Sequence, residues 1–272
     1  TEERNMLSEK LKKGISELTF YQRSLLFAEL SAIAYLDEKD AKKHASELGF
    51  TTVEFYNIEG AQAYRFMNKN DMVIACRGTQ PTEYNDIKAD LNALPIISET
   101  ASRVHMGFKA EVDELWPHVK EDMDRKVNLK KDHWFCGHSL GAAMATIMAS
   151  RCKHDPKLSD PVELYTYGSP RVGWKGYCDS LEVEHNRFVN NNDIVTTVPL
   201  VIMGFKHHGN CHYFNTWGNL RELTFWQKIK DKLRGMWRGL KAFKIDNFSD
   251  HNMSEYIAHC DKLVKGMETP QV

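Results

Sequence analysis

The sequence predicts an α/β fold in which a mostly parallel central sheet is covered by helices on both faces. Helical and strand-like segments alternate from residue 104 onward, which is typical of a parallel sheet with crossover helices. Ahead of them, three short runs of period-two alternation between residues 51 and 77 indicate an antiparallel meander. An apolar run at 134–136 also passes through a glycine-framed turn into small residues, which predicts a strand joined tightly to a helix.

The elements follow in chain order from this periodicity. Apolar residues at helical spacing predict one amphipathic helix over 20–35. The meander strands are expected at 53–56, 63–66 and 72–76, with turns at Gly60 and at 68–71. Further along we expect helices at 107–126, 140–153 and 174–182, and strands at 133–136, 162–167 and 187–190. The chain has no internal repeat or linker, so residues 1–272 are predicted to form a single domain.

Composition restricts the function classes. With 42% hydrophobic residues, 27% charged residues and a net charge of −1, the chain is typical of globular proteins and nothing favours a nucleic-acid partner. No apolar run reaches the roughly 18 residues of a transmembrane segment. Residues 1–5 lack signal-peptide character and an initiator methionine, so both secretion after leader removal and a cytoplasmic location stay open. The six cysteines are widely scattered, which favours free thiols.

The segment Gly137-His138-Ser139-Leu140-Gly141 has the G-x-S-x-G pattern of a nucleophile elbow. Its glycines permit a sharp strand-to-helix turn that holds the serine hydroxyl at the carboxyl end of the sheet. Ligands gather at that end of a parallel sheet. Composition alone would produce this pattern in about one chain in ten. The motif therefore indicates a nucleophile only if the sequence also offers a base and an acid for it.

A serine nucleophile requires a base and an orienting carboxylate. Asp193 is the best acid because it follows an apolar run at a predicted strand end; Asp160, Asp179 and Asp246 lack that placement. His251, at the start of a predicted C-terminal helix, is the best base.

A histidine cluster, His207, His208 and His212, offers a rival base. Together with Cys211 this cluster also suggests a zinc site. No second Cys/His pair is evident, so we expect no metal there and expect a cluster histidine to form structural hydrogen bonds.

Seven segments together resemble the class 3 (fungal-type) triacylglycerol lipases, in the family's order and spacing over roughly residues 20–265. They are Ala75-Cys76-Arg77-Gly78-Thr79, Asn85-Asp86-Ile87-Lys88-Ala89-Asp90-Leu91, Val104-His105-Met106-Gly107-Phe108, Gly137-His138-Ser139-Leu140-Gly141, Tyr165-Thr166-Tyr167-Gly168-Ser169-Pro170-Arg171-Val172-Gly173, Asn192-Asp193 with Val198-Pro199, and Asp250-His251.

This resemblance implies an α/β-hydrolase fold and a triad of Ser139, Asp193 and His251, so it selects His251 over the histidine cluster. It implies that Thr79 and the backbone N–H of Leu140 form the oxyanion hole. Residues 80–90 correspond to the family's lid, and its substrate-contacting positions are expected at Gln80, Pro81, Tyr84 and Ile87. The segment from Gln80 to Asp86 is polar for an interfacial lid.

Residues 221–244 are predicted to form a basic amphipathic helix. Apolar residues fall at helical spacing from Trp226 to Phe243, and the opposite face is mainly basic. Such a helix is suited to transient contact with an anionic lipid surface, while the alternative is a helix packed on the domain with a solvated basic face.

These features predict a serine carboxylester hydrolase that cleaves acylglycerol esters without a cofactor. A phospholipase A1, or an esterase for soluble esters, would use the same triad. A lipase-like scaffold that binds lipid or protein without catalysis is the alternative from another class.

Overall fold

The structure is a computed structural model that describes residues 6–78, 95–97, 103–191, 193–215, 217–221 and 251–268. Its strands are β1 (Thr52–Ile58), β2 (Ala61–Met67), β3 (Asp71–Cys76), β4 (Pro95–Ile97), β5 (Arg103–His105), β6 (Asp132–His138), β7 (Pro161–Tyr167), β8 (Gly173–Trp174), β9 (His185–Asn190), β10 (Phe205–Lys206), β11 (Asn210–Phe214) and β12 (Leu220–Arg221). The helices are α1 (Phe20–Ile33), α2 (Glu38–Leu48), α3 (Met106–Met123), α4 (Leu140–His154), α5 (Lys175–Ser180) and α6 (Met253–Glu268).

Within the described ranges the main sheet has eight strands in the order β1-β2-β3-β6-β7-β9-β11-β12. The five neighbouring strands from β3 to β11 run parallel, while β1, β2 and β12 are antiparallel to their neighbours. A second, antiparallel sheet has the order β10-β8-β5-β4. The predicted meander and the mostly parallel sheet are both confirmed.

Period-two alternation along the central strands divides the core into two layers. On β6, Trp134 and Cys136 pack with the residues of α1 and α6, whereas Phe135 packs with those of α3 and α4. Helices therefore cover both faces of the sheet, because each central strand is apolar on both sides. A buried carboxylate, Asp71, accepts hydrogen bonds from the Trp134 indole and from the Ile15 backbone, and so fixes the N-terminal segment to the sheet.

Helix α1 begins with a reciprocal pair of hydrogen bonds between Thr19 and Gln22. The Thr19 side chain accepts from the Gln22 backbone N–H, and the Gln22 side chain accepts from the Thr19 backbone N–H, which is a capping box.

Helix α1 and the main predicted helices and strands of the alternating region are confirmed to within a few residues. Helix α2 was not predicted, because only Ala41, Ala45 and Leu48 face the core and the rest of the helix is polar. The strands of two or three residues are too short to show periodicity.

All six cysteines carry free thiols in the structure, and five of them are buried. Within the described segments, every helix is too short or too polar to cross a membrane.

Candidate active site

Ser139 lies at a strained turn between β6 and α4. Its backbone has φ 58° and ψ −129°, which is unfavourable for a residue with a side chain. Two backbone hydrogen bonds hold it there, from Ser139 N–H to the Tyr167 carbonyl and from Ala142 N–H to the Ser139 carbonyl, each 3.0 Å long. Strain of this kind persists only where the surrounding structure imposes it, so the turn is built to present this one side chain.

The two glycines of the motif are required by close packing. A Cβ atom at Gly141 would collide with the Cys76 carbonyl of β3 and lie 2.8 Å from the Gly78 nitrogen. A Cβ at Gly137 would collide with the Gly141 carbonyl. The end of β3 therefore packs directly against the turn, and Thr79, the residue after Gly78, lies outside the described residues.

Asp193 and His251 form a buried pair although they are far apart in the sequence. The His251 Nδ1 lies 2.9 Å from Asp193 Oδ1 and 2.8 Å from Asp193 Oδ2, and both side chains are completely buried. The carboxylate also accepts from the Val195 backbone N–H at 3.0 Å and from the Tyr256 hydroxyl at 2.5 Å. Since the carboxylate only accepts at this contact, Nδ1 of His251 donates, and Nε2 is the ring nitrogen on the side away from Asp193.

Gly168 brings this pair against the end of β7. It has φ +60°, and a Cβ there would lie 2.5 Å from Asp193 Oδ2 and 2.8 Å from His251 Nδ1. Residues after the carboxyl ends of β6, β7 and β9 thus meet at one edge of the sheet, as the sequence predicted. The Ser139 hydroxyl at this edge is buried and makes no hydrogen bond within the described part of the chain.

His138 connects the serine turn to the histidine of the pair. Its Nε2 lies 2.7 Å from the His251 carbonyl and must donate to it, because a carbonyl only accepts. Its Nδ1 therefore accepts from the Tyr35 hydroxyl at 2.9 Å. The rings of His138 and His251 stack with centroids 4.5 Å apart. Complete burial and the adjacent His251 hold the pKa of His138 well below its usual value, so this ring is neutral.

Sequence reasoning did not find the supporting residues Tyr35, His138 and Tyr256. His138 stands inside the motif, but only its neighbours were assigned roles. Tyr35 and Tyr256 lie on helices whose positions follow from periodicity, while their hydroxyl partners come from distant parts of the chain. No local pattern identifies such contacts.

Several expected residues lie outside the described ranges. They are the oxyanion-hole candidate Thr79, the lid positions Gln80, Pro81, Tyr84 and Ile87, and residues 222–244 of the basic helix. Leu140, the other oxyanion-hole candidate, is half-buried and is the first residue of α4. Its N–H is one of the first four of the helix, which have no intrahelical acceptor.

The rival residues have other partners. His207 donates from Nε2 to the Thr196 carbonyl at 2.7 Å, His208 faces His185, and His212 faces the Asn186 side chain. The competing acids Asp160 and Asp179 pair with Lys153 and Lys175, and Asp246 lies outside the described residues. Across the part of the chain that the structure describes, no group of three or more His, Cys, Asp or Glu side chains is arranged to hold a metal.

Comparison with known proteins gives the family described as lipase (class 3), which matches residues 73–203. Toxin TseL of Vibrio cholerae serotype O1 is 28% identical over 235 residues, covering 70% of this chain and 35% of the toxin. The secreted mono- and diacylglycerol lipase 1 of Fusarium solani is 31% identical over 109 residues, covering 38% of this chain and 32% of the lipase. The chloroplastic phospholipase A(1) DAD1 of Arabidopsis thaliana is 30% identical over 165 residues, covering 53% of this chain and 37% of the phospholipase. The chain spans about a third of the length of these relatives.

Solved structures show the same fold. The triacylglyceride lipase of Rhizomucor miehei superposes with a TM-score of 0.69 at 19% identity, covering 89% of this chain and 98% of that chain. Lipase II of Rhizopus niveus gives a TM-score of 0.59 at 22% identity, covering 71% of this chain and 80% of that chain. The fold is therefore the α/β-hydrolase fold, as the resemblance implied.

Proposed function

We propose that this chain is a serine carboxylester hydrolase of the class 3 lipase family, whose model matches residues 73–203, and that it acts on acylglycerol-type esters. The observation that carries this proposal is the buried His251–Asp193 pair, held beside the strained Ser139 turn by Gly168 and His138. A serine, a histidine and a carboxylate that accepts from the histidine Nδ1 are the groups that acyl transfer needs.

In the proposed mechanism Ser139 attacks the ester carbonyl while His251 takes its proton and then returns that proton to the leaving alcohol. Asp193 keeps the imidazole in the correct tautomer and stabilises the imidazolium that forms. The backbone N–H of Leu140, at the N-terminus of α4, and the N–H of Thr79 stabilise the oxyanion; loss of one such donor typically costs about 10²–10³ in rate. Water then hydrolyses the acyl-enzyme, and no cofactor or metal is required.

A fluorophosphonate probe tests this proposal because it labels only an activated serine. We expect labelling of the native protein and none of Ser139→Ala. Ser150→Ala is the matched control, since Ser150 is also buried, lies in the helix that Ser139 precedes and has a hydroxyl without a described partner. A native protein that the probe does not label would support the non-catalytic scaffold instead.

Phospholipase A1 activity is a second candidate, favoured by the similarity to the Arabidopsis phospholipase A(1) over about half of this chain. The residues proposed for catalysis serve both reactions equally. Rates on triacylglycerol, phospholipid and short-chain esters, compared under the same conditions, separate the two functions.

We also propose that residues 221–244 contact an anionic lipid interface, on the basis of their basic and apolar faces in the sequence. Charge reversal at Lys228, Lys232 and Arg238 is expected to weaken binding to anionic vesicles. Unchanged binding would favour a helix packed on the domain.

A further inference from the structure

Strand β1 is an open edge of the main sheet within the described ranges, where β2 is its one neighbour. Its seven residues keep an unbroken register with β2, and they include no proline and a single charged side chain, that of Glu54. Sheet edges are usually protected by short strands, charges, proline or bulges, because an unprotected edge pairs with another strand. Strand β12, at the other edge, has only two residues. Strand β1 therefore has the length and composition of a strand that pairs.

The turn between β1 and β2 fixes which backbone groups of β1 face outward. Glu59 and Gly60 join the two strands with φ values of 50° and 90°, as in a type I′ turn. Such a turn closes on a hydrogen-bonded pair, which here is Ile58 and Ala61. Hydrogen-bonded and non-hydrogen-bonded pairs alternate along an antiparallel ladder, so the even-numbered residues of β1 bond to β2.

The odd-numbered residues Val53, Phe55 and Asn57 consequently direct their N–H and C=O groups away from β2. The neighbouring ladder has the matching phase: the Arg77 N–H donates to the Gln62 carbonyl at 3.0 Å, so even-numbered residues of β2 bond to β3 and odd-numbered ones to β1. The outward groups of β1 form no hydrogen bond with any other residue that the structure describes. They are a row of donors and acceptors that a further strand can use.

A second copy of β1, related by a two-fold axis at Phe55, satisfies the whole row. Phe55 then lies opposite the partner's Phe55, and Val53 lies opposite the partner's Asn57, so every outward N–H meets an outward C=O. A shift to another register leaves the outward groups at one end of the strand unpaired. The one charged residue, Glu54, lies opposite the partner's Tyr56, so no like charges meet.

The side chains of β1 suit the same two-fold arrangement. Val53 and Phe55 are half-buried against the core layer beneath α1, and the Phe55 ring stacks on Tyr64 with centroids 4.6 Å apart. Residues directly opposite one another lie on the same face of a sheet, so this apolar stripe continues onto the partner and the two Phe55 rings become a cross-strand pair. A two-fold interface uses the same surface on both copies, so association stops at two.

From this geometry we propose that the chain forms a two-fold dimer through β1, in which the eight described strands of each copy continue into those of the other. Strand β1 runs in the same direction as β3, because both are antiparallel to β2. The two-fold axis reverses this direction, so the carboxyl ends of the parallel strands, with Ser139, point opposite ways in the two copies. The interface contains none of the residues proposed for catalysis and is independent of the proposed function.

Amide hydrogen exchange of the native full chain, at a dilute and a concentrated condition chosen by sedimentation equilibrium, tests the proposal. The N–H groups of the even-numbered residues of β1 are expected to be protected at both concentrations, because β2 binds them. Those of Val53, Phe55 and Asn57 are expected to become protected only where the dimer forms. Fast exchange of these three in the dimer overturns the proposal, as does slow exchange of all three in the monomer.

Asn57→Pro tests the interface by removing one outward N–H while keeping every bond from β1 to β2. Proline is tolerated on an edge strand where the N–H faces outward. The dimer dissociation constant is expected to rise by about tenfold or more, since each dimer loses two hydrogen bonds. Asn57→Ala is the matched control, because it keeps the N–H and is expected to dimerise like the native chain.

Equal dissociation constants for the proline and alanine variants contradict the proposal, as does a native chain that stays monomeric at every concentration. If Asn57→Pro does not fold, the exchange measurement on the native chain still decides. Fluorophosphonate labelling is expected to be the same in both folded variants. Absence of labelling in the native chain would refute the proposed function and leave the dimer measurements unaffected.

Discussion

The Asp193 carboxylate is fixed by donors from three different elements. His251 lies two residues ahead of α6, the Val195 N–H belongs to the short turn that follows Asp193, and the Tyr256 hydroxyl lies within α6. Several donors fix the orientation of a buried carboxylate, and that orientation is needed to hold the imidazole in place.

Tyr256→Phe is expected to lower kcat by about tenfold, because it removes a charge-assisted hydrogen bond to Asp193 and leaves the Asn190 N–H without its acceptor. Tyr64→Phe is the matched control, since Tyr64 is equally buried and donates to the Leu36 carbonyl, with no hydrogen bond to Asp193 or His251 among the described contacts. Both variants are expected to lose about 1–3 kcal/mol of unfolding free energy. Equal kcat values for the two would show that Tyr256 is only a structural residue.

Gly168→Ala is expected to reduce kcat on the order of 10²-fold or more, because the new methyl group would displace the carboxylate and the imidazole it contacts. Gly60→Ala provides the control: Gly60 also has a positive φ, of 90°, but a Cβ there would meet nothing within 4 Å. Steady-state rates and urea unfolding of both variants separate the two effects. A similar loss of activity in both would mean that backbone strain alone is responsible.

At the scale of elements, the site depends on how closely α4 approaches β3. The approach is possible because Gly141, in the first turn of the helix, packs on the Cys76 carbonyl and the Gly78 nitrogen. This contact places the amino end of α4 beside the end of β3, from which the chain continues to Thr79.

Gly141→Ala is expected to destabilise the protein by about 3 kcal/mol or more, since the methyl group would overlap backbone atoms that cannot move away. Gly266→Ala, in α6, is a helical glycine with open space around it and is expected to be neutral or to stabilise by up to about 1 kcal/mol. Denaturant unfolding of both variants measures the difference. A Gly141→Ala protein as stable as the native one would contradict the packing described.

At the scale of the whole molecule, buried and half-buried histidines with lowered pKa values link stability to pH. Burial, with the nearby Arg187 cation, holds the pKa of His185 and His207 well below the usual range. The same causes lower the pKa of His208 and His212 to about 4.

Stability is therefore expected to fall as the pH drops from about 6.5, the pKa of an unfolded histidine, toward about 4. In this window the unfolded chain binds protons that the folded chain does not, which costs up to about 1.4 kcal/mol per pH unit for each fully buried histidine. Urea unfolding at about pH 7.5 and about pH 5 measures the effect. Equal unfolding free energies at the two pH values would show that these rings are protonated in the folded state.

Much of the fold could be predicted from the sequence because periodicity is a local property. The meander, α1, and the alternation from α3 to β9 each follow from patterns within a few residues. Helix α2 and the short strands escaped prediction, since their positions depend on neighbours that the sequence pattern does not specify.

The sequence by itself determined the serine turn: the glycines at 137 and 141 and the strand and helix around them are encoded within one short segment. Residue patterns favoured His251 as the base but left the histidine cluster as a rival, and the resemblance then selected His251. The tertiary structure decided which histidine meets Asp193, because contact between residues 58 positions apart depends on the order of strands in the sheet. It also decided the roles of Tyr35, His138 and Tyr256, since a hydrogen bond between distant elements exists only once burial has brought them together and removed competing water.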